Sequence, residues 1–334
     1  MGVTTRLPAR LPAWTAAPKL LRGFAIASVV ANVVIVVTGG AVRLSDSGLG
    51  CPTWPRCQGD SLIPSGQSSY HKIIEFSNRQ LTGVLVAVAV ITVLLAWRQR
   101  RELRLALLAL AIVPLQALVG GISVLTDLNP WVVALHLLIS MANIAITVVL
   151  LWRLRTTARP ASVSAPAQLL ARLTLLATAL VLAAGTVVTG AGPHSGAKHK
   201  SQRIPIKAAS VTQLHADLVM VLVGLTIGLM VLLYAVHAAP RLAQAARWLF
   251  AAELLQGAIG YTQYFTGLPG WLVDIHMLGA CLVWIAAVYV VLLVRADQPQ
   301  SEQLGDRVDD HADHRADDGA IEPDELKVPS DLQL

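Results

Sequence analysis

The stretch Leu115–His136 reads LQALVGGISVLTDLNPWVVALH, and the stretch Leu255–His276 reads LQGAIGYTQYFTGLPGWLVDIH. The two align without a gap at an offset of 140 residues. A shorter pair supports them, because VVTGGAVR around Thr38 parallels VVTGAGPH around Thr189. Such a match by chance is improbable, so the chain contains two copies of one structural unit. The identical pairs include Gln116 and Gln256, Gly120 and Gly260, Trp131 and Trp271, and His136 and His276.

The composition is that of a membrane protein. Of 334 residues, 55% are apolar and 14% are charged, whereas soluble domains have about 25% charged residues. Mean hydropathy is +0.61. A soluble globule of this size needs a charged surface, and this composition has too few charged residues to form one. The same composition excludes disorder or a coiled coil for most of the chain.

Eight apolar runs are long enough to cross a bilayer, which takes about 20 helical residues. We therefore predict an all-α membrane protein with eight transmembrane helices. Because each copy has four spans, an even number, both copies have the same orientation in the membrane. We expect two tandem four-helix bundles related by pseudo-two-fold symmetry along the membrane normal. The predicted spans are residues 23–43, 73–97, 103–125, 131–152, 168–190, 208–236, 244–265 and 271–294.

Basic residues in the connections predict the orientation. Connections 98–104, 153–167 and 237–243 and the N-terminal segment are rich in Arg and Lys, which favours the cytoplasmic side. The basic connection 191–207 weakens this argument. We expect a plasma-membrane protein with both termini in the cytoplasm. The predicted organisation is a tail at 1–22, an N-terminal bundle at 23–152, a linker at 153–167, a C-terminal bundle at 168–294 and an acidic, disordered tail at 295–334.

The formal net charge of +6 combines a basic membrane region with the acidic tail. An excess of bases can indicate nucleic-acid binding, but the hydropathy assigns these bases to loops at the membrane surface. We therefore expect the lipid bilayer as a partner and no nucleic acid.

Three histidines lie inside predicted spans, where an ionisable group is costly. His136, His215 and His276 lie about 8–11 Å below the same face at 1.5 Å per residue. Neutral imidazoles on facing helices can hold heme iron in a bundle, and His215 and His276 make a facing pair in the second copy. The alternative is core histidines that are hydrogen-bonded between helices. Zinc or copper is less expected, since no cysteine or further histidine lies at metal spacing.

The first copy offers no second histidine at that depth. By the repeat, Asn78 is the counterpart of His215, and Asn is a poor iron ligand. His71 lies seven residues earlier on the same helical face, either as a substitute ligand or as an interfacial histidine. Glu75 lies on the same stripe and is either a proton carrier or a structural partner of Arg79.

The first loop reads GLGCPTWPRCQG. Five residues separate Cys51 and Cys57, and the prolines between them favour a tight turn, so a disulfide is sterically plausible. The spacing fits neither the redox motif with two intervening residues nor a zinc ribbon. A structural and a redox-active disulfide both remain open. Cys281, in the last span, is expected to be a small core residue.

Together these segments resemble the heme A synthases, over residues 23–294. The resemblance rests on the combination of GGAVRLSDSGLGCPTWPRCQG, IIEFSNRQLTG, LQALVGGISVL followed by ALH, QLHADLV and DIHM. It implies an oxidoreductase that converts heme O to heme A for cytochrome c oxidase. The reaction implied is oxidation of the C8 methyl group to a formyl group, with oxygen from water.

The resemblance also implies residue roles. His215 and His276 become the axial ligands of an electron-carrying heme b in the C-terminal bundle. His136 becomes a ligand of the substrate heme O in the N-terminal bundle. Glu75 matches the acid beside the substrate heme and is the expected catalytic residue.

The chain departs from the family in two places. The family has a histidine where this chain has Asn78, as expected of an actinobacterial type. This departure leaves open whether the iron of the substrate heme has six ligands. It also makes His71 a weak candidate for the same pocket. Cys51 and Cys57 match the family's outer-loop pair, which is connected with heme transfer or electron flow. The 191–207 loop has no cysteine, so any redox role of cysteine falls to this pair.

The further partners implied are heme O synthase and cytochrome c oxidase assembly factors, and the sequence is compatible with a homo-oligomer. Two other classes remain as alternatives, a diheme b-type membrane electron-transfer protein and a transporter built on parallel repeats. Asn78 counts against two permanent bis-histidine hemes. The spans lack the paired Gly and Pro interruptions that favour a transporter.

Overall fold

Apolar runs of this length fold as helices because lipid offers the backbone no hydrogen-bond partner other than itself. The computed structural model describes residues 18–57, 70–155, 163–197 and 202–294. Within these ranges the chain forms α-helices and no β-strand. The helices are α1 (Pro18–Leu44), α2 (Tyr70–Gln99), α3 (Leu103–Leu125), α4 (Pro130–Leu154), α5 (Ala165–Ala191), α6 (Ala208–Ala235), α7 (Pro240–Phe265) and α8 (Gly270–Val294).

The predicted tails and linker fall largely outside the described residues. These include residues 1–17 of the predicted N-terminal tail, 156–162 of the predicted linker and the whole predicted acidic tail at 295–334. The domain boundaries proposed there stay predictions.

Seven of the eight described helices are long and apolar enough to cross a membrane, and the protein is a multi-pass membrane protein. The exception is α7, which carries Glu253, Gln256 and Gln263 among its apolar residues. Two of these side chains are bonded to neighbouring helices, since Thr226 donates to Glu253 (2.8 Å) and Gln256 donates to the His276 carbonyl (2.8 Å). Loops of four residues join α7 to α6 and to α8, so α7 runs between the opposite ends of two spans.

Each half of the helix set closes into a ring. Helices α1 to α4 contact one another in cyclic order, and α5 to α8 do the same. The rings meet where α1 contacts α8, α4 contacts α8 and α4 contacts α5. This contact pattern is unchanged when every helix is exchanged for the one four places away, as a two-fold axis requires. The predicted pair of tandem four-helix bundles is confirmed; we call α1–α4 the N-terminal bundle and α5–α8 the C-terminal bundle.

The turn between the third and fourth helix is the same in both bundles. Asp127 and Leu128 adopt positive φ, and so do Gly267 and Leu268, 140 residues later. In each turn the leucine N–H donates to the carbonyl five residues earlier at 2.8 Å. The sequence repeat is therefore a structural repeat down to the backbone of this turn.

Three loops contact one another at one end of the bundles. Arg43 Nε, at the end of α1, donates to the His194 carbonyl after α5 (2.8 Å), and the His194 ring nitrogen Nε2 lies 2.8 Å from the Leu268 carbonyl after α7. The loop after α1 also carries Cys51 and Cys57, so we call this the disulfide end.

Apolar packing joins the two bundles. Val36 of α1 and Met141 of α4 belong to a buried cluster with Cys281 of α8, which confirms the expectation that Cys281 is a core residue. Trp284 Nε1 of α8 donates to the Met141 carbonyl (2.8 Å). This hydrogen bond links the two bundles within the membrane region, where no water competes for it.

Candidate functional site

His136 and His276 have the same surroundings in the two bundles. Each lies six residues after the first residue of its helix, about 9 Å from the disulfide end. A Cβ built on Gly120 of α3 would come 3.2 Å from Cε1 of His136, and one on Gly260 of α7 would come 3.3 Å from Cε1 of His276. Each ring therefore packs on the bare backbone of the preceding helix, and a larger residue there would push it away.

A glutamine one turn before each of these glycines is hydrogen-bonded to the backbone of the helix that carries the histidine. Gln116 Nε2 donates to the His136 carbonyl (3.1 Å), and Gln256 Nε2 donates to the His276 carbonyl (2.8 Å). Gln116 Nε2 also lies 2.5 Å from Ser140 Oγ. The two bundles thus position their histidines with the same residue types.

His215 completes a pair in the C-terminal bundle. It lies seven residues after the start of α6, close enough to His276 for electrostatic interaction. A Cβ on Gly185 of α5 would come 3.3 Å from its Cε1, and its Nδ1 lies 3.1 Å from the Val181 carbonyl. When Nδ1 donates its proton to that carbonyl, Nε2 keeps the lone pair that a metal ligand needs.

These side chains suit heme iron better than a bare metal ion. Within the four described ranges, no group of three or more His, Cys, Asp and Glu side chains could hold an ion. Iron in a porphyrin needs only one or two axial side chains. The Nδ1 atoms of His136 and His276 are buried without a hydrogen-bond partner among the described residues, so neither ring is held by a hydrogen bond at Nδ1.

Asn78 and His71 have separate partners in the N-terminal bundle. Asn78 lies about two turns into α2 and accepts a hydrogen bond from Thr38 Oγ1 of α1 (2.8 Å). His71 lies at the start of the same helix, with Nδ1 3.0 Å from Ser47 Oγ in the loop after α1. A part for either residue in a heme pocket stays a prediction.

Glu75 is buried, and both of its carboxylate oxygens are hydrogen-bonded. Oε2 accepts the backbone N–H of Cys51 (2.7 Å), and Oε1 accepts two hydrogen bonds from Arg79 (2.6 and 3.1 Å). Arg79 also donates to the carbonyls of Cys51 (3.0 Å) and Thr53 (3.2 Å). Of the two roles predicted for Glu75, the structure shows the pairing with Arg79, and the catalytic role stays a prediction.

The predicted disulfide between Cys51 and Cys57 is present, and the two residues are 0% and 1% exposed. Between them, Trp54 packs so closely on α3 that a Cβ on Gly121 would overlap its ring. Gly121 follows directly on the glycine that packs against His136. The disulfide loop therefore lies over the N-terminal bundle beside that histidine.

The sequence profile of the COX15-CtaA family of cytochrome oxidase assembly proteins matches residues 22–288. The chain belongs to this family. The resemblance expected from the motifs is thereby confirmed for most of the chain.

Curated relatives of this COX15-CtaA protein are named heme A synthase. The one from Lysinibacillus sphaericus is 38% identical over 138 residues, which is 40% of this chain and 44% of that protein. The one from Halalkalibacterium halodurans is 35% identical over 136 residues, 39% of this chain and 45% of that protein. The one from Listeria monocytogenes is 32% identical over 137 residues, with shares of 40% and 45%. These matches span less than half the length of each relative.

Some residues of the site in this COX15-CtaA protein had no role assigned from the sequence. Gln256 and Gly260 were visible only as identities at the 140-residue offset, without a structural partner. The repeat gave no signal for Gly185 or for the hydrogen bonds of Arg79 to the disulfide loop, because neither residue has a matching residue in the other half.

Proposed function

We propose that this protein is a heme A synthase, an oxidoreductase that converts heme O to heme A for cytochrome c oxidase. The observation that carries the proposal is the repeated setting of His136 and His276, each with a glycine against its ring and a glutamine on its carbonyl. Two such settings, one per bundle, suit two hemes. The relatives named heme A synthase support the choice of substrate.

In the proposal the C-terminal bundle holds a permanent heme b with His215 and His276 as axial ligands. Their common depth, the place of α6 and α8 in one ring of four helices, and the lone pair that Nε2 of His215 keeps when its Nδ1 donates to Val181 support this assignment. A bound heme b would carry electrons one at a time. The protein's own contribution is to hold the two rings in place, through Gly185 and Gly260 on one side and Gln256 on the carbonyl of His276.

The N-terminal bundle is the proposed site of heme O, with His136 as its ligand. Asn78 stands at the depth of a second ligand but bonds to Thr38, which favours a substrate iron with a single protein ligand. Conversion of the C8 methyl group to a formyl group adds one oxygen atom from water and releases four electrons and four protons. Glu75 is the proposed catalytic acid. Its Oε1 takes up a proton when the hydrogen bonds from Arg79 to this oxygen are broken.

The proposed location is the plasma membrane with both termini in the cytoplasm, which places the disulfide end outside the cell. The basic connections at the opposite end support this orientation. Heme O synthase and cytochrome c oxidase assembly factors are the proposed partners, since one must supply the substrate and the others must take the product.

The proposal is tested on the full chain, purified after co-expression with a heme O source. Pyridine hemochrome spectra and chromatography of the extracted hemes identify what is bound. We expect heme B together with heme O, a hydroxylated intermediate or heme A. His276→Ala should lose the heme b spectrum, whereas His136→Ala should keep most of it and lose turnover. His237→Asn, at an exposed histidine between α6 and α7, is the matched control and should behave like the wild type.

Two results would contradict the proposal. Heme B alone, at two per chain, would favour the diheme electron-transfer protein. Loss of the b-type signal in His136→Ala would show that the two halves had been assigned the wrong way round.

A further inference from the structure

A small cavity lies in the core of the N-terminal bundle, and none of the residues that line it is a proposed heme ligand. Polar side chains from three helices line it, among them Asn32 of α1, Thr92 of α2 and Asn143 of α4. Asn143 lies seven residues beyond His136 along α4, about 10 Å deeper into the bundle. The cavity therefore belongs to the interior of the bundle, away from the disulfide end.

The polar residues around the cavity form a hydrogen-bond network in which one acceptor has no donor. Asn143 Nδ2 donates to Asn32 Oδ1 (2.9 Å), Asn32 Nδ2 donates to the Ser28 carbonyl (2.8 Å), and Ser28 Oγ lies 3.1 Å from Thr92 Oγ1. Asn143 is 2% exposed, yet its Oδ1 has no partner among the described residues. A buried carbonyl oxygen of this kind is costly unless something donates to it.

The cavity has room for such a donor. It leaves about 10 Å³ for the centre of a water molecule, which is close to what one buried water needs. Thr147 contributes a second acceptor, because its hydroxyl proton is donated to the Ile144 carbonyl (2.9 Å) and its lone pairs stay available. Most of the cavity wall is apolar, so a water is held there by the few polar groups of the network, and a buried water needs about two to four such partners.

The repeat shows that the counterparts of two of these polar residues are apolar in the C-terminal bundle. At the 140-residue offset, Asn143 corresponds to Val283 and Thr147 corresponds to Ala287, and both belong to the buried apolar cluster of the C-terminal bundle. Packing of the shared fold therefore does not require an amide or a hydroxyl at these two places.

The end of the N-terminal bundle opposite the disulfide end is closed by apolar side chains. Leu21, Leu95, Leu150 and Leu154 are buried there in one cluster, and Leu150 also lines the cavity. A molecule in the cavity is therefore separated from solvent on that side.

We propose that this cavity is a binding site for a single buried water molecule. The water donates one hydrogen bond to Asn143 Oδ1 and one to a wall hydroxyl, of which Thr147 Oγ1 is nearest in sequence. It joins α1, α2 and α4 through the network of Asn32 and Ser28. The site does not depend on the proposed heme chemistry, and it lies in the bundle proposed to hold the substrate.

The test is radiolytic hydroxyl-radical labelling of the full chain in lipid nanodiscs, read by mass spectrometry. A bound water that is split in place oxidises the side chains around it, even those that bulk solvent cannot reach. Leu150 lines the cavity and Leu249 lies in the apolar cluster of the other bundle, and both are 0% exposed. We expect labelling of Leu150 well above that of Leu249. Equal labelling of the two in the wild type would overturn the proposal.

Two variants assign the site to its ligands. Asn143→Val installs the residue type of the repeat position and should lower labelling of Leu150 to the level of Leu249. Thr178→Val, at a buried threonine of α5 whose hydroxyl bonds within its own helix, should leave it unchanged. Unchanged labelling in Asn143→Val would refute the site, and if that variant does not fold, Thr147→Val gives the same comparison.

Discussion

Replacement of Arg79 by glutamine should open the disulfide loop. Arg79 donates to Glu75 Oε1 and to the carbonyls of Cys51 and Thr53, so one side chain ties the loop to α2. Glutamine is too short and has no charge to keep these contacts together. It would also leave Glu75 buried without its ion-pair partner, which destabilises the closed loop further.

The size of the effect follows from these contacts. Hydrogen bonds to charged groups each contribute about 1.5–3 kcal/mol, but the Arg79 side chain is 22% exposed and solvent screens part of this. We take about 2 kcal/mol for the change in the free energy of loop opening. Since 1.4 kcal/mol is a factor of ten, the open population should rise about 30-fold.

The rate of disulfide reduction measures that population. Cys51 and Cys57 are buried in the closed loop, so a water-soluble phosphine reaches the sulfur atoms only when the loop opens, and the rate follows the open population. Released thiols are counted by alkylation with a maleimide polymer and a gel shift. Cys281 is buried and does not contribute while the protein stays folded.

The matched control is Arg98→Gln, which makes the same substitution at an exposed arginine near the other end of α2. Its reduction rate should equal that of the wild type. A rate for Arg79→Gln within twofold of wild type would show that Arg79 does not hold the loop. A raised rate in both variants would point to general destabilisation.

Two further substitutions test packing between helices. Gly260→Val places a branched side chain against the His276 ring. If heme b is bound as proposed, most of its absorbance should be lost, because overpacking costs about 1–3 kcal/mol and moves the ring. Gly257→Val on the same helix meets nothing within 4 Å and should keep the absorbance; equal loss in both variants would exclude the ring contact as the cause. Trp284→Phe removes the hydrogen bond to the Met141 carbonyl and should lower the free energy of unfolding by about 1 kcal/mol. A thermal melt of the purified protein measures this, and an unchanged midpoint would mean that the bond adds nothing to bundle association.

The positions of the helices could be predicted closely from hydropathy. The predicted span 103–125 coincides with α3, whereas the predicted span 244–265 begins four residues later than α7, which starts at Pro240. Hydropathy marks only the apolar stretch, but a helix continues through polar residues until its end is capped. Proline favours the first position of a helix, which explains why α7 extends back to Pro240.

The repeat identified His136 and His276 but not what surrounds them. Identity at the same offset shows that Gln256 and Gly260 have counterparts, yet it does not tell which helix they face. That depends on how two helices cross, because a rotation of one residue turns a side chain by about 100°. The hydrogen bond to the His276 carbonyl and the ring contact became visible only in the packed bundle.

The sequence by itself determined the helix count, the two-fold repeat and the presence of imidazoles inside the spans. Lipid forces apolar runs into helices, and an ionisable residue inside them is too costly to be incidental. Only the tertiary structure decided that Glu75 is bonded to the disulfide loop and that Asn143 has an unfilled acceptor in a cavity. Both depend on atoms far apart in the chain, a loop N–H in one case and the gap between four helices in the other. No local pattern of residue types specifies where those atoms meet.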